Sequence, residues 1–245
     1  MTKIVVLSPV PAPLVYQWLV SQSGRADIAV VGVEGAGQAE LQRALEDAEI
    51  ILGDYTFRVT ITEEVLGWAP RLRFIQQPSV GYQHIDVNAC QQKGVAVANT
   101  PGVNDAAVAE HTVMLALALL KKAFYAHRLT SQGEWVQREL MWERGIFELQ
   151  GKNYGIIGMG RIGRELAQRL AVFGTHTFYY DPIRLSPEHE GELKVQYKPL
   201  DDLLKLSDIV SLHVPLTEQT RGLISERELG LMKFSAVFIN VARGE

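Results

Sequence analysis

Tyr154-Gly155-Ile156-Ile157-Gly158-Met159-Gly160-Arg161-Ile162-Gly163 is the stretch on which the fold turns. Tyr154 to Ile157 reads as a short buried strand and Ile162 to Ala171 as an amphipathic helix, so the glycines between them form a strand-to-helix turn. A GxGxxG run alone is weak evidence, because glycine-rich turns are common. In this context it is the signature of a dinucleotide site. Gly158 allows the tight turn, Gly160 lets a pyrophosphate approach the backbone, and Gly163 lets helix and strand pack closely, with the phosphates at the positive end of the helix. Asp181, 18 residues beyond Gly163, ends a strand read at His176 to Tyr180. A carboxylate there accepts both ribose hydroxyls of NAD and repels the 2′-phosphate of NADP, so the reading is NAD; Arg184 is a cation that could turn toward such a phosphate.

Outward from this motif, strand and helix signals alternate. Strands read at Ile4 to Leu7, Ile28 to Val33, Ile50 to Gly53, Leu72 to Gln76 and Val95 to Ala98, with helical patterns between them. Thr60-Ile61-Thr62-Glu63 has capping-box spacing and predicts a helix start ahead of Val65. Gly35-Ala36-Gly37 lacks the rest of a phosphate motif and reads as a plain loop. Asn99-Thr100-Pro101-Gly102 breaks the alternation and precedes a helix predicted over Asp105 to Ala126. A domain boundary is placed there, giving domains 1–100 and 101–245. After a polar stretch from Gly133 to Gln150, further strands read at Ile209 to Leu212 and Val237 to Asn240, with helices over Leu200 to Leu206 and Glu226 to Met232. The whole reads as α/β, with parallel sheets covered on both faces.

At 245 residues and 47% hydrophobic content the chain can fill two cores. A net charge of −4 with no Lys/Arg cluster argues against nucleic acid as a partner. The longest apolar run, Val113 to Leu120, is too short to span a bilayer and reads as a buried helix, so no membrane is expected. The N-terminus opens directly into a strand, and the single cysteine, Cys90, excludes an internal disulfide; both fit a cytoplasmic protein. The six histidines lack metal-ligand spacing, so no metal is expected.

Four segments carry a resemblance to the D-isomer-specific 2-hydroxyacid dehydrogenases. They are Ser79-Val80-Gly81-Tyr82-Gln83-His84-Ile85-Asp86, Asn99-Thr100-Pro101-Gly102 running on to Ala109-Glu110-His111, the glycine motif with Asp181, and Leu212-His213-Val214-Pro215-Leu216-Thr217 with Asn240-Val241-Ala242-Arg243-Gly244. The resemblance implies a flavodoxin-like substrate domain and a Rossmann-type NAD-binding domain with the active site in a cleft between them, and a homodimer formed through the NAD-binding domains. It implies interconversion of a 2-oxo acid and a D-2-hydroxy acid by hydride transfer. The substrate carboxylate is expected on the amides of Val80 and Gly81 and on the guanidinium of Arg243, a planar fork that cannot lose its proton. Tyr82 is a candidate wall for the substrate side chain. Cofactor contacts are implied at Val80, Gly158, Gly160, Arg161, Ile162, Gly163, Asp181, Val214, Pro215, Val241, Ala242 and Arg243.

The sequence departs from the family in one respect. The family's catalytic glutamate and histidine follow the Ala242-Arg243-Gly244 motif and are not within these 245 residues, so the expectation is an NAD-binding domain incomplete at its C-terminus. His213, at a strand end, is a weak candidate for the missing acid; His84 and His111 read as satisfied structural histidines. Glu110, in an apolar helix, is expected to bond near the domain junction. Asp54 and Gln77 stand where phosphoglycerate dehydrogenases would call for arginines, and Arg58 is the basic residue expected nearest the substrate. A small unphosphorylated acid such as glyoxylate, hydroxypyruvate or pyruvate is therefore expected. Two alternatives stay open: a formate dehydrogenase of the same fold, and a non-catalytic NAD(H)-sensing protein resembling the corepressors that share it.

Overall fold

A computed structural model of the chain describes residues 1–244; Glu245, the last residue of the second expected domain, lies outside them. The chain divides into two compact units, Met1–Val103 and Asn104–Glu245. In the first, strands β1 (Thr2–Val6), β2 (Ile28–Gly32), β3 (Ile50–Leu52), β4 (Phe74–Gln76) and β5 (Ala96–Ala98) alternate with helices α1 (Ala12–Ser23), α2 (Gln38–Leu45), α3 (Glu63–Gly67) and α4 (Val87–Gln92). The strands pair in parallel in the order β2-β1-β3-β4-β5. This is the flavodoxin-like order, in which loops at the carboxyl ends of the strands are the natural ligand-binding positions. Val5, Leu7, Ile51 and Ile75 from the strands pack with Leu45, Val65, Leu66, Ala89 and Cys90 to form the core.

The helix start near Val65 differs in detail from its expectation. Thr62, not Thr60, caps α3, accepting from the Val65 amide at 3.3 Å. The physical reason is that Ile61 is held extended against a neighbouring segment: its amide donates to the His84 carbonyl and its carbonyl accepts from the Asp86 amide. The chain cannot turn into a helix until that pairing ends.

The second unit holds α5 (Asp105–Leu120), α6 (Ala123–Thr130), α7 (Gln137–Glu139) running into a π-helical turn at Leu140–Arg144, β6 (Asn153–Ile157), α8 (Arg161–Val172), β7 (His176–Tyr180), α9 (Pro187–Leu193), β8 (Val195–Tyr197), α10 (Leu200–Leu206), β9 (Ile209–Leu212), α11 (Glu226–Leu231) and β10 (Val237–Asn240). Its parallel order is β10-β9-β6-β7-β8. Counted within the unit, this is the Rossmann order, with the reversal of strand order between β6 and β9. Alternate residues of β6 face opposite ways: Tyr154 and Ile156 join the core beneath α5 and α8, while Ile157 joins Leu203, Leu204, Val210 and Leu212 on the other face.

The predicted helix over Asp105 to Ala126 is two helices. Lys122 is left-handed (φ 54°), and the Leu120 carbonyl accepts instead from the Phe147 amide at 3.1 Å. The run Val113 to Leu120 is also less buried than expected. Ala116 and Leu120 face the core, but Met114 and Leu119 are exposed, because only one stripe of α5 lies against the sheet. Helix α9 and strand β8 were not legible at all, being short and nearly free of apolar periodicity.

Gly155 lies where α10 crosses β6. A Cβ there would stand 2.5 Å from both Leu203 Cδ2 and Ser207 Oγ. Gly155→Ala is expected to destabilise the second unit by about 1–3 kcal/mol through overpacking, measured by urea denaturation.

Candidate functional site

The turn between β6 and α8 is built almost without side chains. Gly158 adopts φ +98°, and a Cβ on it would lie 2.9 Å from the carbonyl carbon and oxygen of His213. A Cβ on Gly163 would lie 2.2 Å from the Gly158 carbonyl oxygen. Gly160, by contrast, faces open space and serves as N-cap of α8 without a side-chain cap, and the first turn of that helix carries no acidic residue. The amides at this helix start and its positive end are therefore available to an anion, which is what a pyrophosphate requires. Ile162 is half-buried, and Arg161 reaches back to Asp105 with Nε donating at 2.6 Å.

Asp181 ends β7 with its carboxylate beside this turn. One oxygen accepts from the Met159 amide and the other from the Ile183 amide, both at 2.8 Å. Each oxygen keeps a second lone pair, so the group can still accept from ribose hydroxyls. Arg184 does not face a phosphate. Its guanidinium donates to both oxygens of Glu190, at 2.9 and 3.1 Å, and lies over the Tyr197 ring.

Across the strand reversal, β9 delivers His213, Val214 and Pro215. His213 Nε2 lies 2.8 Å from Ser211 Oγ, while Nδ1 is buried with no partner among the described residues. Burial depresses this imidazole to about 4, so it is neutral at physiological pH and has no proton to give as an acid. The candidate acid role is thereby corrected. Val214 and Ala242 pack on the lower core, Val241 on the upper one, and Pro215 is exposed. Beyond β10, Asn240 braces the following turn: Oδ1 accepts from the Ala242 amide and Nδ2 donates to the Arg243 carbonyl. Arg243 Nη1 donates to the Ala242 carbonyl.

The first unit presents a different kind of site. The carbonyl of Val80 accepts from Asn99 Nδ2 at 2.8 Å, and the carbonyl of Gly81 from Ser79 Oγ at 3.0 Å. Gln77 Nε2 donates to Ser79 Oγ, and Thr100 Oγ1 to the Gln77 carbonyl. With the carbonyls tied down, the amides of Val80 and Gly81 have no acceptor among the described residues. Tyr82, beside them, is 47% exposed.

Asp54 is buried. Burial opposes its charge, but the Thr56 hydroxyl and the amides of Thr56, Val59 and Arg58 hold it below the ordinary carboxylate range. It shapes the loop that carries the exposed Arg58. His84 is buried, but against the expectation of a satisfied ring neither nitrogen has a partner among the described residues; the ring stands edge-on to Phe57, and burial lowers its pKa against the opposing pull of Asp54. His111 is exposed, and Glu110, 70% exposed on its side chain, meets Arg169 of α8 at 3.4 Å. Neither is buried, because the stripe of α5 facing the core is Ala109, Thr112, Ala116 and Leu120. Among the described residues no group of three or more His, Cys, Asp or Glu side chains could hold a metal ion, and no helix is long and apolar enough to cross a membrane.

Residues 113–245 match the family model for the NAD binding domain of D-isomer specific 2-hydroxyacid dehydrogenases. The chain belongs to that family. Its C-terminal unit is the family's NAD-binding domain, and the glycine turn, the uncapped helix start and Asp181 are fitted to that cofactor. Glyoxylate reductase from Thermococcus gammatolerans is 44% identical over 188 residues, which are 76% of this chain and 56% of that protein. Glyoxylate reductase from Pyrococcus furiosus is 41% identical over the same length. The chain thus spans about 56% of the length of these relatives. Among solved structures, the NAD-dependent formate dehydrogenase from Staphylococcus aureus in complex with NAD superposes with a TM-score of 0.86 at 29% identity, covering 99% of this chain and 74% of that one. The TT0316 protein from Thermus thermophilus superposes with a TM-score of 0.83 at 31% identity and the same coverage.

The residues that hold these loops, Gln77, Ser79, Asn99, Thr100, Asn240 and Glu190, had no assigned role in the sequence. Asn240 alone carries a local signal, an Asx-type pattern bonding two and three residues ahead.

His213 gives this family member a pH signature. The folded ring titrates near 4 against 6.5 for the model imidazole, so between those values the unfolded chain binds more protons. The stability contributed by the neutral ring is complete above pH 6.5 and is lost as pH falls toward 4, on the order of 3 kcal/mol in all. Denaturation at about pH 7 and about pH 4.5 checks this: His213→Gln should lose less stability over that interval than the unaltered protein.

Proposed function

We propose that this protein is an NAD-dependent oxidoreductase that interconverts a small, unphosphorylated 2-oxo acid, glyoxylate foremost, with its D-2-hydroxy acid. The observation that carries the reading is the Val80–Gly81 loop, whose carbonyls are bound by Asn99 and Ser79 and whose amides are left to an external anion. Those amides suit a carboxylate. The names of the relatives support glyoxylate, and the absence of a basic cluster on the Asp54 loop supports an acid without phosphate. Tyr82 borders the substrate side chain.

In the second unit, Gly158, Gly160, Arg161, Ile162 and Gly163 take the pyrophosphate, Asp181 takes the ribose, and Val214, Pro215, Val241 and Ala242 border the nicotinamide end. Bound NAD supplies the hydride chemistry at C2 of the acid. Arg243 fixes the substrate carboxylate as a fork of donors and favours the charge that develops on the neighbouring oxygen. Proton transfer falls to a histidine and a glutamate other than His213 and His84, whose rings burial keeps neutral.

The partner proposed for the second unit is a second copy of the chain. Met114 and Leu119 of α5, Phe124 of α6, and Trp135 and Trp142 beside α7 are all exposed, Trp142 by 79%. An apolar surface of that kind on one unit is the usual mark of an oligomer interface. A reducing cytoplasm suits the single buried Cys90.

Full-length protein should oxidise NADH with glyoxylate, and Arg243→Ala should lower kcat/KM by on the order of a hundredfold or more. Formate oxidation with NAD, in the absence of 2-oxo acid reduction, would instead assign the formate reaction. Tight NADH binding without turnover of any of these acids would assign a sensor. Trp142→Glu is expected to halve the molecular mass seen in sedimentation.

A further inference from the structure

We propose that Glu190 sets the cofactor preference by holding Arg184 away from the ribose 2′-position. The inference rests on the reading that Asp181 receives the cofactor ribose, and it adds a second, independent determinant to that carboxylate.

Arg184 is three residues past Asp181, on the loop that Asp181 itself folds by accepting from the Ile183 amide. A free guanidinium at this place would be the natural counter-ion of a 2′-phosphate, since its fork matches phosphate oxygens as well as carboxylate ones. It is instead engaged by two partners. Nε and Nη2 donate to the two oxygens of Glu190 on α9, and the guanidinium plane rests on the Tyr197 ring of β8 at 5.2 Å.

Glu190 is itself fixed from below. The buried Tyr179 hydroxyl donates to its Oε1 at 2.8 Å and accepts in turn from the Leu185 amide at 2.9 Å. The Arg184 guanidinium, with the Tyr179 hydroxyl, holds the Glu190 carboxyl below its ordinary range, so the pair stays ionised. A latch of this kind is built from β7, α9 and β8 together, and it occupies the guanidinium that the strand-end loop carries. Asp181 repels the phosphate, and Glu190 withholds the cation that would compensate.

Binding of NADH and NADPH, followed by fluorescence titration of the whole protein, tests this without reliance on turnover. Asp181→Ser is expected to improve NADPH affinity relative to NADH by about tenfold. Adding Glu190→Gln should give about tenfold more, because an amide cannot hold the guanidinium through two charged contacts. Adding Arg184→Ala to that pair should return the preference to that of Asp181→Ser alone. If Glu190→Gln unfolds by circular dichroism, Glu190→Asp in the Asp181→Ser background decides, with a gain in NADPH affinity expected and no gain overturning the latch. NADH binding that persists with the same preference in the Asp181→Ser and doubly substituted proteins overturns the latch alone, as does a gain that survives loss of Arg184. Failure of the unaltered protein to bind NADH overturns the latch and the cofactor reading together.

Discussion

The second unit depends on one close approach of backbone to backbone. At the turn after β6, the carbonyl of Gly158 sits so near the first residues of α8 that a methyl group on Gly163 would stand 2.2 Å from it. On its other side Gly158 abuts the end of β9. Three elements thus converge on a turn with no room for side chains. That crowding is what brings the helix start, with its unpaired positive end, to the point where the strand order reverses. Asp181 closes the arrangement by bonding the Met159 amide, so the residue read as the ribose ligand is also a brace of the phosphate turn.

In the first unit the proposed anion site is built by another route. No helix start is involved; side chains of Asn99, Ser79 and Thr100 bind the loop carbonyls, and the two successive amides of Val80 and Gly81 have no acceptor among the described residues. Both solutions use backbone donors, which are fixed in position and cannot be neutralised. Desolvation lowers the pKa of both His84 and His213, at His84 against the pull of Asp54.

Much of the architecture was legible in advance because both units are parallel α/β layers, whose strands are short apolar runs between glycine-rich turns. The strands from β1 to β7, then β9 and β10, lie within a few residues of their sequence positions. What was misread has a common cause. The start of α3 moved because Ile61 is paired to a distant segment, the helix after Asp105 broke because Phe147 takes the Leu120 carbonyl, and β8 exists because β7 offers it an edge. Each is a contact made across the chain, which no local pattern encodes. Glu110 and Met114 were likewise misjudged, since an almost uniformly apolar helix does not announce which of its faces meets the sheet.

From residues alone followed the dinucleotide turn, the two α/β units and the family, because these depend on glycines and apolar runs whose spacing is fixed along the chain. Only the tertiary structure decided what the individual polar groups do. It made Asp54 a loop cap, kept the His213 ring neutral, left the Val80 and Gly81 amides without an acceptor among the described residues, and bound Arg184 to Glu190. The reason is physical: a polar group's role is set by what desolvates it and by which partner claims it first. Both are properties of the folded neighbourhood rather than of the residue.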